Sequence, residues 1–316
     1  MKKGLFGILV LILVASIVTT GDKETESLQL RLNLREGKSY SLRVLTEQEI
    51  HQTLEGQQYD MTQTMGMGYT YDVDQIDAAG NALVHVTYDW TLVKQQVPGG
   101  NIEYDSSNPP GVVDPAAMGF AALVGQGFTM RLSPQGGIQD VQGVDEMISR
   151  MLEQLDMLQD PTLDALEQSL RNQFGENAIK ESLGNMLSIY PEMPVKIGDA
   201  WSKTFVISLG FPMILENTWT LVGRQGGVAT IEVHSTIKPN LEGGPIEIGF
   251  VKLSYDVFGE QWGTLEMDES TGWTVSSVVT QEVSGTVTLE GGEMEEQTIS
   301  WPISWEGTVT IETVKE

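Results

Sequence analysis

Histidine, serine and carboxylate chemistry each demand particular spacings, and this 316-residue chain offers few of them. Its three histidines, His51, His85 and His234, stand on separate alternating segments, so no pair has the helical or strand spacing of a metal site. Each reads as a solvated or hydrogen-bonded strand residue. Ser235-Thr236-Ile237-Lys238 has the Ser-x-x-Lys spacing of an acyl-transfer nucleophile, which needs Ser at a helix start with Lys one turn on. Here Ile231, Val233 and Ile237 alternate as a strand, which puts Ser235 and Lys238 on opposite faces. Asp72, Asp74 and Asp77 begin like a calcium loop. With Asp72 first, however, the sixth position is Asp77 rather than Gly and the twelfth is Leu83 rather than Glu. Neither a Gly-x-Ser-x-Gly elbow nor a Gly-x-x-x-x-Gly-Lys phosphate loop occurs. With 44 Asp plus Glu, adjacent acids arise by chance, and a glycoside hydrolase would need two of them converging in a cleft. The expectation is a protein without catalytic residues, cofactor or metal.

Charge and composition narrow the classes further. Eighteen Lys plus Arg against 44 acids leave 18 − 44 = −26, which excludes a nucleic-acid-coating surface. The absence of cysteine excludes disulfide scaffolds, thiolate zinc sites, thiol catalysis and a lipid-anchoring cysteine. Met1-Lys2-Lys3 precedes an apolar run over residues 5–18, whose 14 residues suit a signal-peptide core better than a spanning helix of about 18–20. Residues 1–21 therefore read as a signal peptide cleaved near Gly21, the alternative being an uncleaved anchor through residues 5–18. In either case the body is expected outside the cytoplasm, periplasmic or extracellular, with membrane contact only through an uncleaved segment. Without the leader the balance is 16 − 44 = −28.

The elements that would position any site are long amphipathic strands. Over residues 59–75 the odd positions carry Met61, Met65, Met67, Tyr69, Tyr71 and Val73, and the even ones Asp60, Thr62, Thr64, Thr70 and Asp72. Gly66 and Gly68 mark the expected bend in this long segment. Before it, Tyr40, Leu42, Val44 and Ile50 share a face. Near the C-terminus Val275, Val279, Val283, Val287 and Leu289 form one apolar face, and Ile299, Trp301, Ile303, Trp305, Val309 and Ile311 another. Glu290-Gly291-Gly292-Glu293 joins those two runs as a hairpin. One-sided antiparallel sheet is the common implication.

Between the β-rich parts, Val144, Met147, Ile148, Met151, Leu152 and Leu155 step at three and four residues, as a helix requires. Asp160-Pro161 suits a second helix start, and Ile179, Leu183, Met186 and Leu187 a third helix. The pattern Gly37-x-x-Tyr40-Ser41 returns as Gly198-x-x-Trp201-Ser202, and residues 129–138 align without gaps to 264–273. Two related β-units follow, offset by an insertion in the Pro/Gly-rich stretch 97–115. The fold class expected is α+β, mainly β: two related antiparallel units forming a curved, half-barrel-like sheet, with a central helical segment on its apolar face. The boundaries are 22–142 for the first unit, 143–190 for the helices and 191–316 for the second unit.

Several short motifs add a resemblance. Asp77-Ala78-Ala79-Gly80-Asn81, Pro98-Gly99-Gly100, Tyr104-Asp105-Ser106 before Pro109-Pro110, Phe128-Thr129-Met130, and Pro191-Glu192-Met193-Pro194-Val195 leading to Gly198-Asp199-Ala200-Trp201 resemble an uncharacterised family of exported bacterial proteins, a domain of unknown function. The resemblance spans nearly the whole chain after the leader. It implies an exported, β-rich protein and carries no reaction and no catalytic residue.

The function expected is non-catalytic binding of an apolar small molecule or lipid. Met61, Met65, Met67, Tyr69 and Tyr71 would line the sheet side, and Met147, Met151 and Leu155 the helical lid, since methionines re-pack readily around varied apolar shapes. The rivals are an envelope-associated scaffold without a ligand cavity and an unrecognised carboxylate hydrolase. Oligomeric state is not legible.

Overall fold

The computed structural model describes residues 26–97, 100–155, 163–208, 212–248, 251–291 and 298–314. The leader, the Asp160-Pro161 helix start and most of the turn after Gly291 lie outside these residues. The first part of the chain forms β1 (Ser39–Leu54), β2 (Gln57–Ile76), β3 (Ala82–Val97), β4 (Gly100–Asp105), α1 (Met118–Leu123), β5 (Gly127–Leu132) and β6 (Ile138–Gln142). Next come α2 (Val144–Gln154), α3 (Leu163–Phe174) and α4 (Glu176–Leu187). The rest forms β7 (Ala200–Ile207), β8 (Met213–Gln225), β9 (Val228–Pro239), β10 (Ile246–Ile248), β11 (Val251–Asp268), β12 (Thr274–Gly291) and β13 (Thr298–Thr313).

Among the described residues these 13 strands make one antiparallel sheet. Its order is β6-β5-β3-β2-β1-β13-β12-β11-β9-β8-β7, with β4 beside β3 and β10 beside β11. The sheet is open, with β6 and β7 as its edges. The two runs expected to form a hairpin, β12 and β13, pair from Ser276–Glu312 to Glu290–Thr298. The stretch 97–115 is not simply a loop: β4 within it pairs along the outer half of β3, and Tyr104 is buried.

Period-two alternation has packed the inner face into two clusters. The larger joins Leu42, Tyr69, Tyr71, Val84, Val86, Phe128, Leu221, Ile231 and Met267 to helical residues, with Met147, Ile148, Met151, Leu170, Ile179 and Leu183 all buried. The smaller holds Ile237, Val257, Val283, Val287, Ile303 and Trp305 towards the other end of the strands. The helices also tie to strands near both ends of the sheet order. Arg150 on α2 donates from Nε to Gln126 Oε1 and from Nη2 to the Gly127 carbonyl at the start of β5. Glu181 on α4 accepts from the Ser208 backbone N–H, and the carbonyls of Ser188 and Ile189 accept from Lys203 Nζ and Trp201 Nε1 of β7.

An extended segment ahead of β1 seals the helical end. Leu28, Leu30, Leu32 and Leu34 alternate and are all buried in the larger cluster. Leu28 exchanges both backbone hydrogen bonds with Val195, Leu32 N–H donates to the Pro134 carbonyl, and Asn33 N–H donates to that of Thr271. This strap thus touches the first β-region, the connection after the helices and the second β-region.

β2 runs through Gly66 and Gly68 as one strand, and its register against β3 shifts between Gly68 and Tyr69, a bulge at the place the glycines marked for a bend. Those glycines face outward and make room for β3: a methyl at Gly66 would stand 2.3 Å from the Trp90 ring. Close approach to a neighbouring strand's backbone occurs on β11. A methyl at Gly259 would stand 2.2 Å from the Glu282 carbonyl oxygen, and one at Gly263 2.1 Å from that of Val278. Glycines at such inward positions let adjacent strands coil tightly, the device that curves a sheet.

Candidate functional site

Strand register arranges the inner face in bands. One apolar row runs Met61, Ile50, Trp305, Val283, Gly259, Ile237, Leu215 and Phe205 across eight strands. Two residues along each strand lies a polar row: Gln95, Gln63, Gln48, Gly307, Gln281, Gln261, Ser235, Asn217 and Lys203. Two further along, Val93, Met65, Thr46, Val309, Val279, Gly263, Val233, Trp219 and Trp201 restore the apolar character. The polar row is what separates the two hydrophobic clusters.

Its buried end is satisfied internally, as buried polar groups must be. Ser235 donates to Asn217 Oδ1 at 2.6 Å, and Gln261 Nε2 donates to Ser235 Oγ at 3.0 Å. Asn217 Nδ2 donates to the backbone carbonyls of Lys203 and Leu215. Burial pulls the Lys203 ammonium below the usual lysine range, against the opposing pull of Glu192. Towards β1 and β2 the amides are half-buried, with Gln95 donating to Gln63 at 3.3 Å. Ser235 is therefore a structural residue. Lys238, on the opposite face, pairs with Glu216 at 2.6 Å.

The eight residues expected to contact a ligand fall into three settings. Tyr69, Tyr71, Met147 and Met151 are buried in the larger cluster, and Met67 and Leu155 pack against it partly buried. Met61 and Met65 lie half-buried further along β2, on either side of Gln63. All five β2 residues share the inner face, and Tyr69 Oη donates to Met67 Sδ at 3.2 Å. Burial pushes the Tyr69, Tyr71 and Tyr88 hydroxyls well above the usual tyrosine range, so all three are neutral donors. Tyr71 Oη and Trp273 Nε1 are buried without a hydrogen-bond partner among the described residues. The clearest surface clefts are lined by other residues. One of about 510 Å³ lies on the outer face beside His51, Trp262 and Glu282, and another of about 560 Å³ beside Asp145, Arg171 and Glu176.

The outer face carries a feature that sequence inspection missed. Glu49, Glu306, Glu282 and Glu260 stand directly opposite one another on β1, β13, β12 and β11. His51 hydrogen-bonds Asp60 at 2.7 Å, which raises the imidazole pKa, and His234 sits 3.6 Å from Glu260. The ligating atoms of Glu49, His51 and Glu306 lie within 4.8 Å of one another, all exposed. Like charges facing each other across strands are destabilising. Glu282→Gln is therefore expected to raise stability by roughly 0.5 kcal/mol at low ionic strength. Chemical denaturation should show that gain shrinking in about 0.5 M salt, where the Debye length falls below 5 Å; a loss of stability at low salt would contradict the reading.

An open antiparallel sheet with a banded inner face, whose larger apolar cluster also takes in helical residues, defines a β-rich protein. Residues 79–274 match DUF6263, a family of unknown function, and the chain belongs to that family. No curated protein matches it by sequence. Among solved structures it is similar to OpdQ of Pseudomonas aeruginosa, at 6% identity over 88% of this chain and 99% of that one, with a TM-score of 0.18. OpdO of the same organism gives 9% identity over 88% and 98%, with a TM-score of 0.17. OccK7 (OpdD) gives 7% over 88% and 99%, with 0.18. Scores this low do not establish a common fold.

Proposed function

We propose that the protein is an exported, non-catalytic binding module that holds an apolar or lipid-like molecule against the inner face of its sheet. The observation that carries this reading is the half-buried methionine track on β2. Met61, Met65 and Met67 lead past the amide row to the buried Tyr69 and Tyr71. From Gln63 to Tyr71 that path is roughly 27 Å at strand rise, suited to an elongated molecule. Met147 and Met151 of α2, with Leu155 just after it, would cover its inner end, and methionine walls re-pack at low cost. Export rests on the basic-then-apolar leader over residues 1–21.

Strand order supports the view of two tandem units. The order β6-β5-β3-β2-β1 in one half and β12-β11-β9-β8-β7 in the other run in the same sense, with β13 between them. The inner face would then be one trough built from two copies of a unit.

Native mass spectrometry of gently purified protein tests the binding reading. A co-purified apolar molecule, or an apolar dye bound and then displaced by lipid, is expected. Met65→Glu, which puts a charge on the track, should weaken dye binding at least about tenfold. No bound molecule and no displaceable dye would favour the scaffold reading instead, which the complete burial of Met147 and Met151 supports. The hydrolase reading gains no supporting observation. The shifted carboxyls among the described residues are all lowered: Asp60 by His51, Asp77 by Asn81, Asp105 by the Ser107 N–H, and Asp268 by Ser270 and Thr271 against its own burial. A general acid needs the opposite.

A further inference from the structure

Two polar atoms inside the larger cluster stand out against otherwise satisfied surroundings. Tyr71 is fully buried and Trp273 is 5% exposed, yet neither Tyr71 Oη nor Trp273 Nε1 has a hydrogen-bond partner among the described residues. Their rings meet edge to face with centroids 5.1 Å apart. Neighbouring buried hydroxyls do find partners: Tyr190 donates to the Gly272 carbonyl at 2.8 Å and Tyr69 to Met67 Sδ. More than nine in ten buried polar groups are paired, and each orphan is costly, so two orphans on touching rings call for a third group.

We infer that Tyr71 and Trp273 are the inner anchor of the proposed site and receive an uncharged oxygen acceptor, the carbonyl of a ketone, ester or quinone carried on an apolar molecule. The inference rests on the binding reading above and names the group by which that ligand is held. An indole N–H only donates, and a tyrosine hydroxyl kept protonated by burial donates readily. A carbonyl oxygen has two lone pairs, one for each donor. A carboxylate or phosphate is disfavoured, because no Lys or Arg belongs to the cluster that holds Tyr71 and Trp273, and the electrostatic neighbours of Tyr71 are the hydroxyls of Tyr69 and Tyr88. Access comes from α2, whose Met147 and Met151 belong to the same cluster and whose N-terminus at Gly143 has no side-chain cap. The alternative occupant is an ordered water.

Calorimetric titration of the full protein with 2-undecanone, undecane and undecanoate, solubilised identically, tests this. The ketone should bind about tenfold more tightly than the hydrocarbon, and the carboxylate more weakly than the ketone. Tyr71→Phe and Trp273→Phe should each abolish the ketone's advantage over undecane. Tyr71→Phe should also keep or raise the ligand-free denaturation midpoint, because it removes an unpaired hydroxyl. Equal binding of ketone and undecane, or a ketone preference that survives Tyr71→Phe, overturns the anchor while leaving the binding module in place; the first result would point to a resident water and the second to a donor elsewhere. A lower midpoint for Tyr71→Phe overturns the anchor too. Failure of all three probes to bind overturns the underlying reading with it.

Discussion

Glu269→Ala is expected to lower stability by about 3 kcal/mol, in the range for breaking a buried ion pair by removing one partner. Arg224, near the end of β8, grips Glu269 in a two-pronged pair, Nε to Oε1 and Nη2 to Oε2 at 2.9 Å each. The two side chains are only 9% and 17% exposed. Arg224 Nη1 also donates to the Glu26 carbonyl, so the same guanidinium holds the start of the leucine strap. Loss of the carboxylate removes both of those charge-assisted bonds from a largely desolvated guanidinium, and should loosen the strap. Urea denaturation measures the first effect, and proteolysis near residue 26 the second. A variant within about 0.5 kcal/mol of the parent, as for an ordinary surface substitution, would show that the pair is not a clamp.

Met151→Ala should cost about 3 kcal/mol, as truncation of a buried methionine in a filled core does. Met151 is fully buried between α2 and the inner face, with Met147 one turn away. Met151→Leu nearly conserves volume and should cost less than about 1.5 kcal/mol. The contrast is informative because it separates volume from methionine's flexibility. If the leucine variant keeps its stability but loses dye binding, flexibility at α2 serves the ligand. A loss below about 1 kcal/mol for Met151→Ala would mean that the helix packs more loosely than its burial implies.

Much of this architecture was legible because alternation is a local signal. The odd-numbered face of residues 59–75 became the inner face of β2, and the two C-terminal runs became paired strands. The heptad-like steps from Val144 became α2, ending at Gln154. Leu28, Leu30, Leu32 and Leu34 carry the same period-two signal, but four residues ahead of any strand do not reveal that they cross three separate parts of the chain. The amide row and the glutamate ladder were invisible for a different reason. Gln48, Gln63, Gln95, Gln261 and Gln281 meet only through strand register, and register depends on which strands pair. The pairing of β1 with β13 unites the two ends of the sequence, and no local pattern encodes that. A second role of Gly66 and Gly68 was hidden for a related reason, since the side chain that needs their space, Trp90, lies on the next strand.

The central claim, that α2 to α4 cover a binding surface and are not a permanent core, is tested most directly by hydrogen exchange. Amides of α2 and α4 should exchange faster than those of β2 and β12 in the ligand-free protein, because the cover opens locally. Adding a monoacylglycerol should slow them while leaving the strands unchanged. Uniform, strand-like protection across both helices, unaltered by the lipid, would contradict the claim and leave a closed structural core.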